Sequence, residues 1–416
     1  MLIRNPRFAL LFASLFLVMV GFGLVIPLLP FVARDLGASS FDMGLLTSVW
    51  AAAQFLTAPR WGTVSDRRGR RPTLILGLVG FGLGFFLMGF STELWMLYLA
   101  RIIGGLLSAS TIPSAKAYIA DITPPEERGP SMGLLGAAFG LGFMLGPSIG
   151  TIMAPLGVRF TFFAAGACGC INALLVLLFL PEPEERIESG MDGGSVLSAM
   201  IDAARRPHAV LYWTPFFITF ASSSLFSMMG FFLMDKFAAA ESQVGIAFTV
   251  NGAIGVLIQG ILIGVAIRTF GEIRLLRGGM LLSALGFIVF TLAPSFPLIL
   301  VSVAFIATGM GLARPVVTSL LCNVTDMGQG ITMGLQTSYD SLGRMLGPLW
   351  AGLLYMITIE APYISSAMVF ALAFLYVERT HAVLRRPPAD ALAPDAGMPS
   401  TPPPAPAHRQ GGRLKD

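Results

Sequence analysis

Gly62-Thr63-Val64-Ser65-Asp66-Arg67-Arg68-Gly69-Arg70-Arg71 is a polar turn between two apolar runs, 43–61 and 73–90. Each run is about 18 residues, long enough to cross ~30 Å of hydrocarbon as a helix. The turn carries four arginines, and cationic loops stay on the cytoplasmic side of a membrane. Gly62 and Gly69 suit a sharp reversal, because glycine accepts positive φ and close approach. Asp66 is placed to accept hydrogen bonds from a neighbouring helix N-terminus, where partial positive charge collects. Arginines alone would mark only topology; the full order G-x-x-x-D-R-x-G-R-R is far more specific.

Composition agrees. Of 416 residues, 55% are hydrophobic and 12% charged, against about 25% charged in a soluble domain. The chain therefore reads as a polytopic protein of the lipid bilayer. Its formal charge of +4 does not point to nucleic acid, since the basic residues sit in short loops between spans. Cys168 and Cys170 lie in one apolar run and Cys322 at the end of another. No zinc-type ligand cluster surrounds them, so free thiols are expected, with no metal and no cofactor. His208, His381 and His408 fall in cytoplasmic segments, which argues against a buried histidine proton relay.

In chain order, Phe8 to Val32 is too long for a signal-peptide core and is expected to stay as span 1, bent near its outer end by Pro27 and Pro30. Arg34 and Asp35 then fall in the first outer loop. Spans 2 to 6 are placed at 43–61, 73–91, 94–118, 131–154 and 160–180, and spans 7 to 12 at 210–234, 243–266, 275–293, 297–321, 330–355 and 362–378. This alternation leaves Arg34, Arg159 and Lys236 outside and most other basic residues inside, so both termini are expected in the cytoplasm. The fold class expected is all-α, with an N-terminal half (1–180), a cytoplasmic linker (181–209), a C-terminal half (210–380) and a disordered tail (381–416). In the linker, Val196, Leu197, Met200, Ile201 and Ala204 share a helical face that suits either a helix lying on the inner leaflet or an ordinary linker helix.

The halves are related in sequence. Gly264, Arg268 and Gly271 echo Gly62, Asp66 and Gly69 at an offset of 202, with arginine in place of the aspartate. Pro113 matches Pro315 and Asp121 matches Asn323 at the same offset, while Gly142, Gly146 and Pro147 match Gly343, Gly347 and Pro348 one residue closer. Ordered matches at nearly one spacing imply two six-helix repeats about an axis along the membrane normal.

The decapeptide resembles the loop between spans 2 and 3 of the major facilitator superfamily. Gly142, Gly146, Pro147 and Gly150 form a G-x-x-x-G-P-x-x-G string that resembles the antiporter motif of its drug:proton exporters. Small residues at this spacing also make an ordinary packing seam; in that family the string packs against the opposite half. Arg101-Ile102-Ile103-Gly104-Gly105 resembles the family's R-x-x-x-G motif on span 4, and Ala117 to Thr123 and Arg314-Pro315 look like the bacterial multidrug group. The resemblance covers nearly all of residues 5–385 and implies export of bulky lipophilic compounds against inward proton flow, from the bacterial cytoplasmic membrane and as a monomer, with resistance to antibiotics as the outcome. One proton falling through ~100 mV releases about 2.3 kcal/mol, enough for a roughly fifty-fold substrate gradient.

The resemblance also assigns roles. Gly62, Asp66, Arg67, Gly69, Arg70 and Arg71 would gate, with Asp66 meeting the N-terminus of span 11 and Asp121 joining through Arg70; Gly142, Gly146, Pro147 and Gly150 would gate as well. The carboxylates that known members carry are missing, since Phe226, Gly311 and Val18 stand at those positions. Asp340 is the one acid placed deep in a span, ~15 Å in at 1.5 Å per residue, with Arg344 an i, i+4 neighbour. Asp340, Arg344 and Arg101 are therefore the proton-coupling candidates, against the alternative of a neutralised structural pair. Gln54, Trp50, Asn172, Phe226, Asn251, Gln336 and Tyr339 are the candidate lining residues, a mostly apolar and aromatic set with a few polar groups. A sugar or metabolite carrier would share the fold with a more polar cavity. A receptor or membrane enzyme is ranked last, because no catalytic carboxylate pair or nucleophile–base arrangement stands out.

Overall fold

The structure is a computed structural model, which describes residues 6–124, 127–183, 196–205, 208–324 and 329–384. Every regular element among them is helical. The tail after Leu384 lies outside the described residues.

In the N-terminal half, α1 (Pro6–Val25) and α2 (Leu29–Asp35) make up span 1. The chain breaks between them at Ile26–Leu28, where Pro27 cannot donate to the helical ladder and Pro30 suits the first turn of α2. Arg34 and Asp35 close α2 as helical residues, not the loop that was expected. Then come α3 (Ser40–Arg68), α4 (Arg70–Gly89), α5 (Leu94–Ser108), α6 (Thr111–Ile122), α7 (Arg128–Met153) and α8 (Val158–Phe179). The expected span 4 is the stretch Leu94–Ile122, its helix interrupted between α5 and α6, where the Ser110 hydroxyl donates to the Thr73 carbonyl at 3.0 Å and draws the break onto α4.

After the short α9 (Val196–Ala204), the C-terminal half holds α10 (Ala209–Phe237), α11 (Glu241–Val256), a π-helical turn (Leu257–Leu262), α12 (Ile263–Phe270), α13 (Glu272–Leu292), α14 (Phe296–Val324), α15 (Gln329–Tyr355) and α16 (Ala361–Leu384). Among the described residues, nine helical stretches are long and apolar enough to cross a membrane. α3, α7 and α15, of 29, 26 and 27 residues, stand where spans 2, 5 and 11 were expected. Apolar side chains face outward as well as inward: on α4, Leu74 and Leu78 are fully buried while Leu76, Val79 and Leu83 are about 40% exposed, as a helix between protein and lipid requires.

The sequence repeat is also a structural one. Gly69 and Gly271 join consecutive helices with φ of +116° and +78°, a conformation that glycine adopts at least cost. A Cβ on Gly142 or Gly146 would meet Phe16 O at 2.6 Å or Gly23 Cα at 2.6 Å on α1, and one on Gly343 or Gly347 would meet Phe216 O at 2.9 Å or Ser223 Cβ at 2.6 Å on α10. The same seam is thus built twice. Of the two expected roles, the linker helix takes that of a docked linker helix. Met200 and Ala203 are buried and Ile201 is exposed, and the Tyr339 hydroxyl donates to the Met200 carbonyl at 2.8 Å, so α9 docks on the C-terminal half.

Candidate transport pathway

The arginine turn is held inside its own half. Arg70 is 2% exposed; it pairs with Asp66 one turn earlier, and its Nε donates to Asp121 Oδ2 at 2.8 Å. Glu182, from the start of the linker, accepts the backbone N–H of Arg70 at 2.6 Å and of Arg71 at 3.0 Å. A carboxylate there satisfies the orphan donors of α4 and favours the positive end of its dipole. Arg71 donates to the Leu177 carbonyl, and the Tyr118 hydroxyl donates to the Pro181 carbonyl at 2.5 Å. The turn therefore ties together the ends of α3, α4, α6 and α8. Asp66 does not depend on the other half for its ion pair; residues 325–328, which lead into α15, lie outside the described residues.

The halves join at the end remote from this turn. Arg34 Nη1 on α2 meets Asp235 Oδ1 on α10 at 2.8 Å, with the Arg34 guanidinium 4.4 Å from the Phe231 ring centroid and the Tyr355 hydroxyl donating to Asp235 Oδ2 at 2.6 Å. On α3 and α15 the backbones cross at glycines: a Cβ on Gly352 would meet Ser40 O at 2.7 Å, and one on Gly44 would overlap the Pro348 carbonyl. Ser148 on α7 and Thr249 on α11 share a hydrogen bond of 3.0 Å. Toward the arginine turn α3, α12 and α15 carry open positions. A Cβ at Gly62, Gly264 or Gly334 would meet nothing within 4 Å, and Leu56 and Val265 are 66% and 65% exposed. α12 has no buried residue. Among the described residues, the contacts between the halves thus gather at one end and leave the other parted.

Between these ends, α10, α14 and α15 bring a polar cluster together. Asp340 accepts from the Thr219 hydroxyl and from Arg344. Arg314 Nη2 donates to Thr219 Oγ1 at 3.2 Å and Ser222 Oγ at 3.4 Å. An acid at this depth is costly unless compensated, and here two guanidiniums flank it. The Arg344 side chain is 61% exposed, Asp340 20%, so the arginine reaches into the cleft and the acid lies behind it. Arg101 is 4% exposed with its guanidinium 5.2 Å from the Trp50 ring centroid, a cation–π arrangement inside the N-terminal half and away from Asp340's cluster.

The lining candidates divide. Gln336 donates to Thr318 Oγ1 at 2.6 Å, Gln54 to Ser108 Oγ at 3.3 Å, and Phe226 stacks on Phe248 with ring centroids 6.2 Å apart. Asn251 is 8% exposed and its Nδ2 has no partner among the described residues. Trp50 is mostly consumed by packing on Phe85 and Gly104. Two candidates are corrected. Asn172 is 1% exposed and ties α8 to α1 through Ser14 O at 2.8 Å, and Tyr339 is 1% exposed beneath α9; both are packing residues. Gly142, Gly146, Pro147 and Gly150 seat α1 of their own half, while α7 also packs on α11 of the opposite half, where Ser148 bonds Thr249.

Sequence reasoning missed Arg314, Glu182 and the Arg34–Asp235–Tyr355 cluster as site residues. Arg314 carried the same signal as Asp340, a charge inside an apolar run, and the offset of 202 residues pairs Arg34 with Lys236.

The profile described as Major Facilitator Superfamily matches residues 11–234 and again 211–407. Multidrug resistance protein 1 of Bacillus subtilis (strain 168) is 31% identical over 373 residues, spanning 89% of this chain and 95% of the relative. Quinolone resistance protein NorA of Staphylococcus aureus (strain Mu50 / ATCC 700699) is 28% identical over 383 residues, spanning 91% and 97%. Among solved structures, the human organic anion transporter MFSD10 (TETRAN) gives a TM-score of 0.68 at 25% identity, over 90% of this chain and 100% of that one. A bacterial homolog to the human lysosomal transporter Spinster, inward-facing and occupied, gives 0.76 at 17% identity, over 93% and 99%, a likeness of fold.

Proposed function

The chain belongs to the major facilitator superfamily, and from that premise we propose that it exports lipophilic small molecules, drugs among them, by proton antiport. The observation that carries the reading is the cleft shut by Arg34–Asp235 at one end and parted at the other, with Asp340 and Arg344 between. The arginine turn supports a cytoplasmic position for the parted end. With twelve spans and both termini cytoplasmic, this is the inward-facing state of an alternating-access cycle. A monomer has the whole pathway within one chain.

Asp340 is the proton carrier in this reading. Arg344 holds its carboxylate in the present conformer; rocking of the halves parts them, and the carboxyl then takes a proton. The Asp66–Arg70–Asp121 cluster acts in gating, since it sits at the membrane edge and fixes four helix ends as one piece. Transport of this kind asks for no catalytic group.

The test uses purified protein in liposomes with an imposed pH gradient and ethidium as cargo. Wild-type protein is expected to concentrate ethidium uphill. Asp340→Asn is expected to lose uphill transport and keep exchange without a gradient. Full gradient-driven transport by Asp340→Asn would remove Asp340 from coupling and leave the Asp340–Arg344 pair as structural.

A further inference from the structure

Asp340 is held from two sides, and the two sides differ. Its Oδ2 accepts from Arg344 Nε at 3.0 Å and from Nη2, on the side of the cleft, where the Arg344 side chain is 61% exposed. Its Oδ1 accepts from the Thr219 hydroxyl on α10, a residue 4% exposed. Thr219 Oγ1 in turn accepts from Arg314 Nη2 on α14 at 3.2 Å. A hydroxyl has one hydrogen, and a guanidinium can only donate. Arg314 therefore leaves Thr219 one direction for its hydrogen, onto Asp340. Arg314 and Arg344 are the charged groups that face the carboxylate. The other helices packed on α15, namely α3, α9 and α16, bring it no hydrogen bond or ion pair among the described residues.

Packing does not require this buried arm. Asp340 stands one turn before Gly343 on the same face of α15. A Cβ on Gly343 would meet Phe216 O at 2.9 Å, Phe220 N at 3.0 Å and Thr219 Cβ at 3.1 Å, so the glycine lets α10 bring Thr219 up to the acid. In the other half, a Cβ on Gly142 would meet Phe16 O at 2.6 Å, Val20 N at 3.1 Å and Met19 Cβ at 2.6 Å. Met19 thus stands where Thr219 stands. The offset of 201 that relates Gly142 to Gly343 puts Phe139 at the place of Asp340. One half carries apolar residues at both positions of the seam; the other carries a hydroxyl and an acid, joined to a guanidinium. An acid at this depth is costly and marks function by default.

We propose that Thr219 is a positioning residue for proton uptake: it occupies Oδ1 and so reserves Oδ2, the oxygen on the cleft side, as the atom of Asp340 that takes the proton. The inference rests on Asp340 as the proton carrier and names the atom. As Arg344 leaves, a hydronium ion in the cleft gives its proton to Oδ2 and remains as water. Oδ1 becomes the carbonyl oxygen and keeps the Thr219 hydrogen bond, while Arg344 and Arg314 stay cationic. A donor to a carboxylate favours the ionised form, and a charge behind the donor strengthens it. Thr219 thereby sets the acidity at which the carrier loads.

The test scans uphill ethidium transport by the full chain in liposomes across pH, at a constant imposed gradient. Thr219→Val has nearly the same shape without the hydroxyl. Without the donor the neutral carboxyl is favoured, so the pH of half-maximal transport is expected to move up by about one unit, the weight of one charge-assisted hydrogen bond. Thr219→Ser, which keeps the hydroxyl, is expected to restore the wild-type midpoint. A purely structural Thr219 would change the rate or the melting midpoint and leave the pH midpoint in place. An unmoved or lowered pH midpoint in Thr219→Val, or Thr219→Ser shifted as far as Thr219→Val, would overturn the assignment. Should Thr219→Val not fold, Arg314→Gln carries the test: it is expected to raise the midpoint as well, and an unmoved one overturns the role. Asp340→Asn reports on the carrier separately. Loss of uphill transport in that variant beside an unmoved midpoint in Thr219→Val sinks the role of Thr219 alone, whereas uphill transport retained by Asp340→Asn sinks the carrier itself.

Discussion

Arg34 and Asp235 meet at 2.8 Å across the two halves, 201 residues apart in the chain, at the end of the molecule that is shut. The pair is the charged part of a seal otherwise made by Pro30 against Gly230 and by α3 against α15. Its side chains are 38% and 31% exposed, so by itself it is worth about 0–1 kcal/mol. Asp235→Asn is then expected to shift the balance between the two facing states by up to about fivefold. Spin labels at Asp35 and Ile357, measured by pulsed electron resonance, would show the longer of two distances gaining weight. The charge-swapped double variant should return the balance; distances unchanged in all three proteins would mean that the pair merely decorates the closure.

Gly44 permits the α3–α15 crossing, because any Cβ there overlaps the Pro348 carbonyl. Forcing such an overlap costs about 1–3 kcal/mol. Gly44→Ala is expected to slow transport at least about tenfold while expressing and folding. Gly278→Ala, where a Cβ meets nothing within 4 Å, is the matched control. Equal rates for the two variants would show that the crossing need not close during turnover.

Glu182 caps α4 through two backbone N–H groups. Removing a charged cap costs about 1–2 kcal/mol. Glu182→Ala should lower the melting midpoint in detergent by several degrees, and Glu182→Gln, which keeps an acceptor, by less. A midpoint that does not move would mean that Asp66 and Asp121 hold the turn without it.

Asp42 predicts a pH dependence at the shut end. Burial raises its affinity for a proton, but the Ser39 hydroxyl and backbone N–H and the Tyr98 hydroxyl outweigh this and hold the carboxyl below its ordinary 3.8. A group lowered on folding contributes stability above its unfolded value and loses it as pH falls through the folded one. The gap in melting midpoint between the wild type and Asp42→Asn should therefore be full at neutral pH and shrink below about pH 4. A gap that stays constant down to acid pH would assign it to packing instead.

The fold was legible because a membrane helix writes itself locally: about 18 apolar residues and a cationic turn suffice, and Gly69 and Gly271 repeat the same turn. The site was legible only in part. Asp340 and Arg344 stood out as i, i+4 charges in an apolar run. Arg70 to Glu182 and Arg34 to Asp235 are contacts between residues more than a hundred apart, and no local pattern encodes them. Tyr339 and Asn172 were misassigned for a different reason. Helical periodicity says which residues share a face, but not which neighbour covers that face, and α9 and α1 cover these two.

The crossing of α3 and α15 has a consequence for coupling. Its contact is main chain against main chain, Ser40 and Gly44 against Pro348 and Gly352. A crossing of that kind has no swinging door: rotamer changes leave the α3–α15 contact itself intact. Opening this crossing therefore takes movement of entire helices, which couples the outer barrier to rocking of the halves.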